Sequence, residues 1–93
     1  MSNNLRIKAE NDFRKEISIF EDARTRFEEK FNVFKEHTEL KREWIDERSE
    51  KWHENEDNDA FNTYVQEVEE YNSTLEDLLN ELSNLDLPEN EAI

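Results

Sequence analysis

Apolar positions in the first half of the chain recur by threes and fours. Phe13, Ile17, Phe20, Phe27, Phe31, Phe34, Ile45 and Trp52 form one row, with Arg24, Thr38, Lys41 and Arg48 in the remaining slots. That is the period of an α-helix with one face turned inward. A second row, Ile19, Ala23, Val33, Leu40 and Trp44, lies beside the first and widens the face. The pattern predicts a first helix over about residues 5–54. In the second half the row is Phe61, Val65, Val68, Leu75, Leu79 and Leu82, flanked by Tyr64, Tyr71, Leu78 and Leu85, which predicts a second helix over about 59–85. Asn72-Ser73-Thr74 interrupts that row. Ser73 with Glu76 fits a capping box, so a kink or a short third helix starting there is the alternative. Leu87-Pro88 closes the helix, because the residue before a proline is pushed away from helical angles.

The two helices cannot be one. Trp52 and Phe61 are nine residues apart, about 180° around a continuous helix, and would face opposite ways. A break is therefore expected at Asn55-Glu56-Asp57-Asn58-Asp59, where Asp57, Asn58 and Asp59 are residues that favour caps over helix interiors. A turn at Trp44-Ile45-Asp46 is the second possibility, and it would divide the chain into nearly equal arms. Either way the fold class is all-α. The architecture expected is an antiparallel, coiled-coil-like helical hairpin, one domain over residues 1–86, with a flexible acidic tail at 87–93.

Composition agrees with this reading. The chain has 93 residues, no glycine and one proline. Hairpin turns and bulges lean on glycine, so its absence argues against a sheet. Only 33% of residues are hydrophobic and 41% are charged, but the spacing of six Phe and two Trp is too regular for a disordered chain. A two-helix hairpin of this length has little interior, and the apolar face is wider than one seam needs. Completion as a four-helix bundle, by homodimerisation or by a partner, is expected. Arg24, set among Phe20, Phe27 and Phe31, either fixes register on that seam or lays its stem along the surface with its head in water.

Charge is divided unevenly. Residues 1–51 hold thirteen acids and all twelve bases, and residues 52–93 hold thirteen acids and no base. The acidic half is read in three ways. It can be a solvated face, it can pair in part with bases of the first helix, or it can be a surface for a basic partner. Binding nucleic acid directly is disfavoured, since attachment to phosphates requires cationic surface.

Candidate chemistry is sparse. His37 and His53 are sixteen residues apart with no cysteine to complete a zinc site. The Asp57-Asn58-Asp59 run lacks the glycine and the spaced glutamate of a calcium loop. Asp46, Ser49 and His53 share helix spacing, but no nucleophile elbow or glycine-built oxyanion hole accompanies them. No cofactor, no metal and no enzymatic activity is expected. No segment is long and apolar enough to span a membrane and no signal peptide precedes the first charges, so a cytoplasmic protein is expected, with export lacking a cleaved signal still compatible.

A helical arm leading to Trp44-Ile45-Asp46, the aromatic Trp52 eight residues after that tryptophan, and a second amphipathic arm together resemble the Trp-x-Gly (WXG) family of small helical hairpins exported by type VII-like systems. The resemblance covers nearly the whole chain and implies a turn at Trp44 and Asp46. The chain departs from the pattern in having Asp46 where the family has glycine, and neither tyrosine is followed four residues later by an acid.

The function expected is a non-enzymatic protein–protein interaction module, most concretely a WXG-like secretion partner or a small helical chaperone. Phe20, Phe27, Phe31, Phe34, Trp44 and Trp52 would dock a partner helix while the acidic arm steers it. The alternative is an acidic mimic of nucleic acid that inhibits a DNA-binding protein, of the phage anti-restriction or anti-CRISPR type, acting through Glu67, Glu69, Glu70, Glu76 and Asp77.

Overall fold

The computed structural model describes residues 3–89. It consists of three helices, α1 (Asn3–Asp46), α2 (Glu50–Glu54) and α3 (Glu56–Ser83), with no strand among the described residues. The described residues fall into two units that meet after Phe34.

The first unit is the stretch of α1 up to Phe34. Phe31 is buried, at 7% exposure, and its ring lies stacked against Phe27 with centroids 6.4 Å apart. Ile17, Arg24 and Glu28 are half-buried, and Arg24 Nε donates to Glu28 Oε1 at 3.0 Å.

The second unit, from Lys35 onward, is an antiparallel hairpin. As one follows α1 forward its partners on α3 run backward: Lys35 reaches Glu76, Thr38 meets Asn72, and Arg42 meets Glu69. Ile45 and Val65 are fully buried beyond the Arg42–Glu69 contact, toward the corner. Val68, Leu75, Leu79 and Leu82 are half-buried.

The corner departs from the expected boundaries. α1 stops at Asp46 instead of reaching about 54, and both candidate turns are used. Arg48 explains the first stop. Its Nε donates to the Trp44 carbonyl at 3.0 Å, taking up an acceptor that the helix end would leave open, and its guanidinium lies 4.2 Å over the Trp44 ring. Ser49 then caps α2, accepting from the Trp52 amide at 3.2 Å. Asn55 ends α2 and caps α3, its side chain accepting from the Asp57 amide at 2.9 Å. Asp57, Asn58 and Asp59 are consequently residues of α3 and not of a loop. Asp57 and Asp59 sit in its first turn, where the helix dipole favours carboxylates. The Asn58 Nδ2 donates back to the Trp52 carbonyl at 2.9 Å.

Two breaks bring three aromatic residues together that a single long helix would separate. Trp44 of α1 meets Trp52 of α2 and Phe61 of α3 edge-on, with centroids 5.5 and 6.2 Å apart. At the other end, α3 closes at Ser83, with Asn84 as its cap. No new helix starts at Ser73. Asn72 points into the seam instead of interrupting it, so the helix runs through. Of the expected tail, Leu87, Pro88 and Glu89 are described and exposed, and the remainder lies outside the described residues.

Candidate interaction site

The seam of the hairpin is set one row to the side of the strongest apolar row on α1. Thr38 and Ile45 are buried as the spacing requires, but Lys35 and Arg42 flank them, while Phe34 and Lys41 stay exposed. After Lys51 the chain has no base. The bases that answer the carboxylates of α3 are Lys35 and Arg42 on the seam face.

Arg42 is the centre of that answer. Its Nε donates to Glu69 Oε1 at 3.1 Å and Oε2 at 3.2 Å, its Nη2 donates to Oε1 at 2.6 Å, and its Nη1 donates to Asn62 Oδ1 at 3.0 Å. Asp46 adds a third group at 4.0 Å. The hydrogen bonds to Glu69 raise the Arg42 pKa above its ordinary value, burial works against them, and the charges of Glu69 and Asp46 add to the rise. Lys35 Nζ lies 3.5 Å from Glu76 Oε2. Beside this network an open groove of about 230 Å³ is lined by Lys35, Thr38, Glu39, Glu69, Asn72, Ser73 and Glu76.

Turning the seam toward Arg42 leaves apolar rows outside it. On α1, Phe13, Phe20, Phe27 and Phe34 are spaced by seven residues and are 57, 52, 49 and 41% exposed. On α3, Tyr64, Tyr71 and Leu78 repeat the same spacing and are also exposed. Single exposed apolar residues are ordinary on a surface, but aligned rows are not. A strict seven-residue repeat on a helix is the spacing that a second, supercoiling helix can follow.

No family model, curated protein or solved structure matches this chain.

The residues expected to bind a partner therefore divide. Phe20, Phe27 and Phe34 are accessible, whereas Phe31 is buried and serves packing. Trp44 and Trp52 hold the corner together, Trp52 half-buried and Trp44 exposed along one edge. Of the acidic set, Glu67, Glu70 and Asp77 are exposed on α3, while Glu69 and Glu76 are engaged with Arg42 and Lys35. Asp46 ends α1. Arg42, Asn62, Thr38 and Asn72 are structural residues that a search for apolar rows passes over. The acidic charge of α3 calls for a basic partner on α1, but both candidate faces carry bases, so the count does not choose Arg42 over Lys41.

Among the described residues no group of three or more His, Cys, Asp or Glu side chains is arranged to hold a metal ion, and no helix is long and apolar enough to cross a membrane.

Proposed function

We propose that the protein is a non-enzymatic interaction module that docks an amphipathic helix with basic flanks along α3. One observation carries the reading: Tyr64, Tyr71 and Leu78 form an exposed row at seven-residue spacing beside carboxylates, on a helix that carries no base of its own. By helical phase Glu67 and Glu81 lie next to the row on the side away from the seam, and Glu70 and Asp77 lie beyond them. The rings supply area with two rotatable bonds each, and the carboxylates steer a basic partner and reject an acidic one. The most concrete form is a WXG-like secretion partner or helical chaperone. Support for it comes from α1, which ends at Asp46, where the resemblance sets the turn.

A second reading is favoured by the run of carboxylates itself. Residues 52–93 carry thirteen acids, and an acidic mimic of nucleic acid would present them to a DNA-binding cleft. Engagement of Glu69 and Glu76 within the hairpin removes two of the five residues first assigned to that role.

Affinity capture from native extract with two variants separates the readings. Tyr71→Ala with Leu78→Ala removes apolar docking and leaves the charge. Glu67→Lys with Glu70→Lys and Asp77→Lys reverses the charge and leaves the row. A helical partner that survives high salt and is lost with the first variant supports the interaction module. Proteins lost with the second variant, insensitive to the first and displaced by DNA support the mimic and sink the module.

A further inference from the structure

We propose that the stretch of α1 up to Phe34 pairs antiparallel with the same stretch of a second copy. This inference concerns a different surface from the α3 row, and the two can fail separately.

The first argument is the face itself. Phe13, Phe20 and Phe27 are about half exposed, and Ile19 and Val33 beside them are exposed too. Their seven-residue repeat suits another helix, not a flat or irregular surface.

The second argument identifies that helix by charge. Residues 1–34 carry seven acids and seven bases, and residues 35–93 carry nineteen acids and five bases. Over most of its surface the chain repels a copy of itself. Its neutral stretch is the place where two copies can meet without that cost. The exposed row on α3 runs among carboxylates and does not suit a second copy.

The third argument sets the direction. Ala23 lies on the Phe face with Glu16 seven residues before it and Lys30 seven residues after it, and all three are exposed. Phe20 precedes Ala23 and Phe27 follows it at similar spacing. The face therefore reads alike from either end, with one acid exchanged for one base. An antiparallel copy brings Lys30 of the second copy within reach of Glu16, twice per pair. A parallel copy sets Glu16 against Glu16 and Lys30 against Lys30. In the antiparallel pair the acidic segments that follow residue 34 also begin at opposite ends, which lowers their mutual repulsion.

Sedimentation equilibrium on the full chain tests this, with exposed substitutions that spare the fold. A dimer is expected. Glu16→Lys is expected to weaken it about tenfold, from two new like-charge contacts, and Glu16→Lys with Lys30→Glu to restore it. Pyrene attached at Ala23→Cys is expected to give excimer emission, and pyrene at Ala9→Cys to give none. A chain that stays monomeric at about 100 µM overturns the proposal, that concentration being generous for a specific pairing. So does a dimer indifferent to Glu16→Lys, or excimer emission from Ala9→Cys. None of these outcomes bears on capture through Tyr71 and Leu78, so failure here leaves the proposed function to its own test.

Discussion

Asn72 donates its side-chain amide to the hydroxyl of Thr38 across the hairpin, 3.2 Å away, and both residues are buried. The carbonyl oxygen of the same amide is buried without a partner. A polar pair in this position, with one acceptor unanswered, gives away stability relative to an apolar layer. What it gains is register. A slip of one turn along the seam would set Asn72 against Lys35 or Arg42 and break its hydrogen bond to Thr38.

Replacing the pair tests that trade. Thr38→Val alone strands the amide and is expected to cost about 1–2 kcal/mol in urea unfolding. Thr38→Val with Asn72→Leu is expected to recover that loss and to exceed the parent in stability by about 1 kcal/mol. A double variant no more stable than Thr38→Val would mean that the polar layer does not cost the hairpin stability.

The Arg42–Glu69 pair is bidentate and about one-third exposed on each side, which places it above an ordinary surface ion pair. Arg42→Ala is expected to cost about 1–2 kcal/mol, since it also removes the donor to Asn62. Glu67→Ala, on the open face of α3, is expected to change stability by less than about 0.5 kcal/mol. A double-mutant cycle on Arg42 and Glu69 isolates the coupling, and a coupling near zero would show that the geometry is held by the seam alone.

The corner carries its own signature. Phe61→Ala withdraws an edge contact from Trp44 and is expected to shift tryptophan emission to the red, at a cost of about 1–2 kcal/mol for a ring already partly exposed. Emission unchanged by this substitution would mean that the three rings do not form one cluster in solution.

The caps can be measured singly. Ser49→Ala and Asn55→Ala are each expected to lower the unfolding free energy by about 1 kcal/mol, read from denaturant midpoints at constant slope. Asn55 is expected to be the costlier of the two, because its side chain starts the 28-residue α3 whereas Ser49 starts a helix of 5 residues.

The all-α class, the hairpin and the α3 row could be read from periodicity alone, because helices advertise their buried face every three or four residues. The break at Asn55 was legible from the cap-favouring residues around it, whereas the end of α1 at Asp46 stood only as the second of two alternative turns. The choice of seam was not legible in the same way. Phe13, Phe20, Phe27 and Phe34 outweigh Lys35 and Arg42 on any hydrophobic scale, yet the second pair faces α3. The reason is a long-range one. Thirteen acids arrive after the last base, and which of the bases on α1 answers them depends on how the two helices pack against each other. Asn72 was missed for a related reason. Its polarity looks like an interruption until Thr38 is placed opposite it.

The corner between α1 and α3 contains no glycine, and no described residue has a positive φ. The bend is therefore not imposed by backbone geometry that only glycine could adopt. It rests on a few side chains, Arg48, Ser49, Asn55 and Asn58, each of which is exchangeable by single substitution. Losing two caps would remove the local instruction to fold back, and the pairing of Arg42 with Glu69 and the burial of Ile45 and Val65 would be left to hold the hairpin by themselves.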